Sequence, residues 1–361
     1  MANNFALSQK QIVEAILANR SDACHVVGHM GTGKSYLLKM LGERLPNHTL
    51  CYFDCTTKTM GDVSMPQFNK IDENGYVTFV PNEELGLHLS KPLVVMVDEL
   101  PKGETGVVRS MTRFMYEGKI GTFNSHPDSI RFSTGNLDAE GVGDSLLPTM
   151  YNRVTTLEMR KPNNVETIEF GINNGFHPIL LSVMKDKPEY FADFRDFQYK
   201  DNAYPYHPDD LNRRAFVSNR SLHRASNWLH ASDKIDETTL YAALIGTVGG
   251  PAAADIMTYS KMIGDLPSLD SIKSNPHTAK IPKSAEVRVM VVYRTMQNID
   301  ATWVDAWMEY FERLDPEIQG YFKNGITADS FDKKKQKVVM TNAKYTKWAM
   351  ANTHLSTTDK K

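Results

Sequence analysis

Gly28-His29-Met30-Gly31-Thr32-Gly33-Lys34-Ser35 satisfies every fixed position of G-x-x-x-x-G-K-[ST], a pattern whose backbone amides cradle nucleotide phosphates. It follows the apolar run Ala23 to Val27 and opens onto SYLLKMLGERL, so it sits where a strand hands over to a helix. The glycines let successive N–H groups turn inward around phosphate oxygens, and the N-terminus of the following helix adds dipole and further donors. In this pattern Lys34 reaches the β- and γ-phosphates and Ser35 ligates Mg²⁺. Tyr36, the next residue, completes the stretch expected to bind the cofactor, ATP with Mg²⁺. His29 and Met30 occupy positions that the pattern leaves open and read as loop fillers.

Further along, Leu93-Val94-Val95-Met96-Val97-Asp98-Glu99 is an apolar strand ending in two carboxylates. Alternation along a strand sends neighbouring side chains in different directions, so the two acids divide the chemistry, with Asp98 in the Mg²⁺ shell and Glu99 polarising the attacking water. An acidic pair at a strand end is commonplace alone and gains meaning from the loop. Around the two motifs, residues 1–160 alternate strand-like and helical stretches. Strands are predicted at Ala23 to Val27, Thr49 to Phe53, Leu93 to Val97, Ile130 to Thr134 and Val154 to Glu158, with chain enough between them for crossover helices. The expected fold class is α/β, a five-stranded parallel sheet covered by helices on both faces.

After Lys161 and Pro162 the spacing turns helical, at Val165 to Asn174, Ser221 to Ser232 and Thr238 to Val248, marking a second unit over 161–265. Pro267, Pro276 and Pro282 then interrupt the chain before helices around Ser284 to Gln297 and Thr302 to Leu314. Residues 266–361 read as a helical extension whose last thirty residues, with DKKKQK and KYTKWAM, form a basic, partly ordered tail.

At 361 residues the chain exceeds what one core usually serves, so two packed units are natural. Its 41 basic and 43 acidic residues give no global attraction to nucleic acid or anionic membrane. The apolar run Leu93 to Val97 is far short of the roughly 20 residues that span a bilayer. MANNFALSQKQIVEAIL has no basic leader with an apolar stretch and cleavage site, so a cytoplasmic protein without a membrane segment is expected. Cys24, Cys51 and Cys55 lack metal-site spacing and read as buried thiols.

With these motifs in hand, the chain resembles the AAA+ superfamily, and within it the MoxR-like and dynein-related ATPases of bacteria and phages, over most of residues 8–270. PKGETGVVRSMTRFMYEGKIG resembles the family stretch in which a helix leads to a hairpin. Ile130-Arg131-Phe132-Ser133-Thr134-Gly135-Asn136 resembles the fourth strand ending in the sensor-1 residue, which implies Asn136 beside Glu99 and the γ-phosphate. A neutral amide can donate to phosphate or orient water without competing for the proton. Leu147-Pro148-Thr149-Met150-Tyr151-Asn152-Arg153-Val154 resembles the segment whose arginine enters a neighbouring subunit's ATP site, nominating Arg153 as an arginine finger. Asn152 stands where relatives carry an acid, and a surface salt bridge is the alternative for Arg153. Val217-Ser218-Asn219-Arg220-Ser221-Leu222 resembles the lid motif S-P-R and nominates Arg220, with Arg224 one turn on as alternative; Asn219 replaces the proline. MGDVSMP resembles the element preceding a small insertion. Tyr76, Phe79 and Pro81 lie there, and packing within a hairpin is favoured over gripping a substrate.

The resemblance implies an ATP-hydrolysing homo-oligomer, a hexameric ring that remodels or assembles a partner protein, often one of von Willebrand A type. Two other readings stay open. One is a nucleic-acid motor or loader using Lys333, Lys334, Lys335, Lys337, Tyr345, Lys347 and Trp348 for phosphate contacts and base stacking. The other is a nucleotide-gated scaffold with little hydrolysis.

Overall fold

The computed structural model describes residues 5–68, 76–140, 146–196, 201–210 and 213–353. The chain divides into two compact units, Met1–Pro162 with His207–Asp209, and Asn163–Tyr206 with Asp210–Lys361.

The first unit is built on strands β1 (Cys24–Gly28), β2 (Thr49–Asp54), β3 (Ser64–Phe68), β4 (Val77–Pro81), β5 (Leu93–Asp98), β6 (Lys119–Ile120), β7 (Phe123–Asn124), β8 (Ile130–Asn136) and β9 (Thr155–Met159). Its helices are α1 (Gln9–Ala18), α2 (Tyr36–Arg44), α3 (Met60–Val63), α4 (Thr105–Glu117) and α5 (Pro148–Tyr151). Five strands form one parallel sheet in the order β2-β5-β8-β1-β9. All five lie within two residues of the predicted positions. The unbroken apolar run of β5 has a physical cause: the strand is buried at every residue, as expected where helices cover both faces of a parallel sheet. Its alternate residues feed different cores. Val95 and Val97 join Phe53, Met111 and Phe114 on one face, while Val94 and Met96 join Ile12, Leu37, Leu41 and Phe132 on the other.

Two antiparallel hairpins stand outside the sheet. β6 and β7 follow α4 as expected. β3 and β4 form the other hairpin, between β2 and β5; packing within it does not bury Tyr76 or Phe79, which stay exposed, and residues 69–75 of this insertion lie outside the described residues.

The second unit is helical: α6 (Asn164–Asn173), α7 (Pro178–Asp186), α8 (Asn219–His230), α9 (Glu237–Val248), α10 (Gly250–Ser260), α11 (Leu269–Ser274), α12 (Ala285–Asn298), α13 (Val304–Phe311), α14 (Pro316–Thr327), α15 (Lys333–Met340) and α16 (Ala343–Ala351). Polar caps start them where the sequence punctuates. Asn163 caps α6 with Glu166 reaching back, Ser218 caps α8, and Asp236, Ser268 and Ser284 cap α9, α11 and α12. One core runs through these helices, with Trp307, Tyr310, Phe311 and Phe322 fully buried.

The expectation of a partly ordered tail is corrected as far as residue 353. Asp332 and Asn342 cap α15 and α16, and Val339, Tyr345 and Trp348 bury their side chains in the shared core. The Trp348 ring meets Phe311 edge-on at 4.8 Å, and its Nε1 donates to Gln319 Oε1 at 3.1 Å. Burying these side chains does not cost the lysines their solvation, because Lys333, Lys334, Lys337 and Lys347 stay exposed on the same helices. Residues 354–361 lie outside the described residues. Among those described, no helix is long and apolar enough to cross a membrane.

Candidate functional site

Parallel strands deliver their C-terminal ends to one edge of a sheet, where ligands of such folds bind. Here β1 ends at Gly28, β8 at Asn136 and β5 at Asp98, with Gly28 in register with Asn136 on one side and Met159 on the other. The loop Gly28 to Ser35 leaves this edge and enters α2 at Tyr36. Gly31 and Gly33 have φ of 69° and 88°, values a side chain disfavours. Gly28 answers to space instead: a Cβ there would meet the Met159 carbonyl oxygen at 2.9 Å. Gln9 of α1 ties the loop down, its Nε2 donating to the carbonyls of Thr32 (3.1 Å) and Gly33 (3.3 Å).

Lys34 is buried and donates to Gly28 O at 2.8 Å, His29 O at 2.9 Å and Asn136 Oδ1 at 2.8 Å. Desolvation lowers its pKa to about 8, while Glu99, Glu140 and Asp98 pull the other way; the ammonium therefore keeps its proton at neutral pH. Asn136 also donates from Nδ2 to Glu99 Oε2 at 3.2 Å. One amide thus joins the lysine to the acid, using both of its ends.

The acid pair is held by groups that the motifs did not name. Asp98 accepts at Oδ2 from Tyr52 (2.8 Å) and from Ser35 (3.4 Å), and at Oδ1 from Thr134. The Thr134 oxygen accepts the Glu99 N–H at 3.1 Å, so one hydroxyl positions both acids. Desolvation and the bond to Asp98 raise the Tyr52 pKa, which keeps the phenol a donor. Glu99 has φ 49° and ψ 39°, the single left-handed non-glycine among the described residues. Such a backbone costs on the order of 1–3 kcal/mol and persists where the surroundings over-determine it, often at functional sites. Lys102 pairs with Glu99 Oε2 at 2.9 Å.

Lys34, Ser35, Asp98, Glu99 and Asn136 are therefore together. His29 is no filler: it is buried, with Nδ1 2.9 Å from Glu140 Oε1. Met30 and Tyr36 are half-buried on the loop and first helical turn. Arg153 follows α5, exposed, with no ion pair among the described residues. Arg220 and Arg224 are exposed on α8 in the second unit. The three cysteines are buried free thiols, and burial raises the pKa of Cys24 to about 11 and that of Cys55 to about 12.

Of the groups missed by the motifs, Thr134 was the most legible, because it stands two residues before Asn136 on a strand and so shares its face. Tyr52 becomes a partner of Asp98 only once β2 is known to pair with β5. Glu140 and Lys102 carry no local signature.

No family model matches the chain, and no curated protein does. Among solved structures it is similar to the RuvB Holliday junction branch migration motor of Thermotoga maritima, with 12% identity, 71% of this chain and 69% of that one covered, and a TM-score of 0.36. It is also similar to a Cytophaga hutchinsonii protein described as a candidate ATPase, with 12% identity, 88% and 81% covered, and a TM-score of 0.35. A third is Hsp104 in a closed state with ATPγS and casein, with 16% identity, 70% and 46% covered, and a TM-score of 0.37.

Proposed function

We propose that this chain is a Mg²⁺-dependent ATP hydrolase of the AAA+ class, of the MoxR-like bacterial and phage type. It works in the cytoplasm as a homo-oligomeric, hexameric ring that couples ATP turnover to remodelling or assembly of a partner protein, such as one of von Willebrand A type. The observation that carries the hydrolase reading is the convergence of Lys34, Ser35, Asp98, Glu99 and Asn136 at one sheet edge, bonded to one another directly or through one residue.

The donor set fits Mg²⁺. A hydroxyl and a carboxylate oxygen lie 3.4 Å apart beside the phosphate loop, and Mg²⁺ takes hard oxygens from one or two side chains, with phosphate and water completing its shell. Ser35 and Asp98 would hold the ion, and when bound it neutralises charge on the β- and γ-phosphates. The loop amides and Lys34 bind and orient the triphosphate. Glu99 holds the attacking water and draws on its proton. Asn136 fixes the distance between that carboxylate and Lys34, and its amide donates to the γ-phosphate without taking up the proton. In this reading Arg153 serves a neighbouring subunit's site and Arg220 senses the γ-phosphate.

In the nucleic-acid reading Tyr345 and Trp348 are buried rather than presented for stacking, so among the residues named for it the exposed Lys333, Lys334, Lys337 and Lys347 carry it. Glu99→Gln tests the leading reading against the scaffold reading. The amide keeps the shape but not the basicity, so this variant should bind MgATP at near-parental affinity and hydrolyse it about 10² to 10⁴ times more slowly. Equal turnover in variant and parent would remove Glu99 from the chemistry, and a parent that binds ATP without hydrolysing it would favour the scaffold.

A further inference from the structure

The phosphate loop is gripped from outside by a residue that no motif names. Glu140 ends a short 3₁₀ turn, Asp138–Glu140, just beyond Asn136, and its side chain is almost fully buried. One carboxylate oxygen lies 2.9 Å from His29 Nδ1, and both oxygens accept the Met30 N–H, each at 3.1 Å. The carbonyl of His29 is engaged as well, accepting from Thr32 Oγ1 at 2.8 Å and Lys34 Nζ at 2.9 Å. The crest of the loop is thus fixed through a side chain, an amide and a carbonyl, at His29 and Met30, two of the four positions that the phosphate pattern leaves open.

Burying a carboxylate beside a site meant for polyphosphate runs against both solvation and charge repulsion. Hydrogen bonds to an amide and an imidazole offset the first. The second is tolerable only if the carboxylate does something for the site. We propose that Glu140, acting with His29, is a positioning residue for nucleotide binding: it holds the glycine-rich loop in its phosphate-accepting shape before ligand arrives. The inference rests on the reading of this loop as the ATP site. A loop with glycines at 28, 31 and 33 has much conformational freedom to lose, and fixing it in advance removes that ordering cost from binding. The crest is shared by ADP and ATP, so both should depend on the clamp alike. Of the groups assigned to hydrolysis, Ser35, Asp98, Glu99 and Asn136 have bonds of their own outside the clamp, and Lys34 has Gly28 O and Asn136 Oδ1 besides the His29 carbonyl.

The test measures equilibrium binding of ADP and ATP to the full-length chain, together with steady-state turnover and thermal melting, for Glu140→Ala, Glu140→Gln, His29→Ala and the double variant His29→Ala with Glu140→Ala. Glu140→Ala should weaken ADP and ATP equally, by about 10- to 100-fold, as loss of a buried charged hydrogen bond does, while kcat at saturating ATP stays within about threefold. Glu140→Gln keeps one acceptor for the Met30 N–H and should lose less, about threefold to tenfold. The double variant should be little worse than the weaker-binding single one, because the two side chains form one device. A merely structural role would lower the melting temperature and leave both affinities alone; that result overturns the proposal, as do independent, multiplying losses from His29 and Glu140. If Glu140→Ala does not fold, Glu140→Gln decides, and parental affinity in it overturns the clamp. If the parent binds no nucleotide, the ATP-site reading falls and the clamp with it, whereas a binding parent with an equally good Glu140→Ala removes the clamp alone.

Discussion

The two units bury polar groups in different ways. In the α/β unit, several buried polar side chains bond to one another across elements far apart in the chain, His25 with Ser133, His29 with Glu140, Lys34 with Asn136 and Thr134 with Asp98, beside the main-chain bonds of Thr32, Lys34 and Thr112. In the helical unit they mostly return to the main chain. Thr167 and Thr247 donate to carbonyls one turn back, Ser182 to Glu286 O, Gln319 to Phe311 O and Leu314 O, and Lys323 to Asn352 O. Replacing buried polar pairs by apolar ones is often neutral or stabilising, so a cluster of them argues for a role other than holding the fold. The helical unit is held instead by aromatic contact around Trp307.

Arg153 can break this comparison most sharply, because it belongs to the α/β unit yet sits exposed without an ion pair among the described residues. In the ring reading its partner is a neighbour's phosphoryl group. Arg153→Ala should then bind ATP normally and hydrolyse it about 10³ to 10⁵ times more slowly, the range found for arginine fingers. Mixing it with Lys34→Ala subunits, which keep the arginine but lack the ammonium of the phosphate loop, should restore part of the turnover. Co-assembly without any recovery, or parental turnover by Arg153→Ala alone, would end the trans-acting role.

The contrast also explains what was legible. The sheet could be read because apolar strands buried on both faces leave unbroken runs, and because the phosphate loop marks a strand-to-helix junction. Lys34, Ser35, Asp98, Glu99 and Asn136 could be named because motif spacing encodes the strand ends that carry them. Tyr52 and Glu140 escaped, since their contacts depend on strand order and on a turn packed against the loop. KYTKWAM was misread for another reason: net basic charge concealed that Tyr345 and Trp348 lie three apart, on one face of a helix.

That misreading yields the next effect in size. Trp348→Ala removes a large buried ring and the bond to Gln319, and should destabilise the helical unit by about 3–5 kcal/mol. All four tryptophans lie in that unit, so denaturant unfolding followed by the fluorescence of the remaining three reports on it selectively. ATP affinity should be retained. If Trp348→Ala lowers affinity as much as stability, the two units do not divide binding from support as the buried groups imply.

The smallest effect tests whether the buried polar groups of the α/β unit carry a cost of their own. His25, on β1 and fully buried, pairs through Nδ1 with Ser133 Oγ at 2.9 Å and has no hydrogen-bond partner at Nε2 among the described residues. Burial lowers its pKa from 6.5 to about 4, with Asp138 opposing and Lys34 adding to the shift. The folded state therefore resists protonation that the unfolded state accepts. Stability from this group is complete above pH 6.5 and falls as pH drops toward 4, by about 3 kcal/mol in all. His177, in the helical unit, is lowered to about 4 as well, mainly by burial and then by His230 and Arg294, so both units should weaken over the same window, each through its own histidine. Asparagine cannot take up the proton. His25→Asn should flatten the pH dependence of amide-exchange protection along β1 and leave that of the tryptophan signal unchanged, while His177→Asn should do the reverse. An unchanged slope along β1 in His25→Asn would mean that the acid sensitivity of this unit lies elsewhere, and that its cross-linked polar groups are less costly to keep buried than their geometry implies.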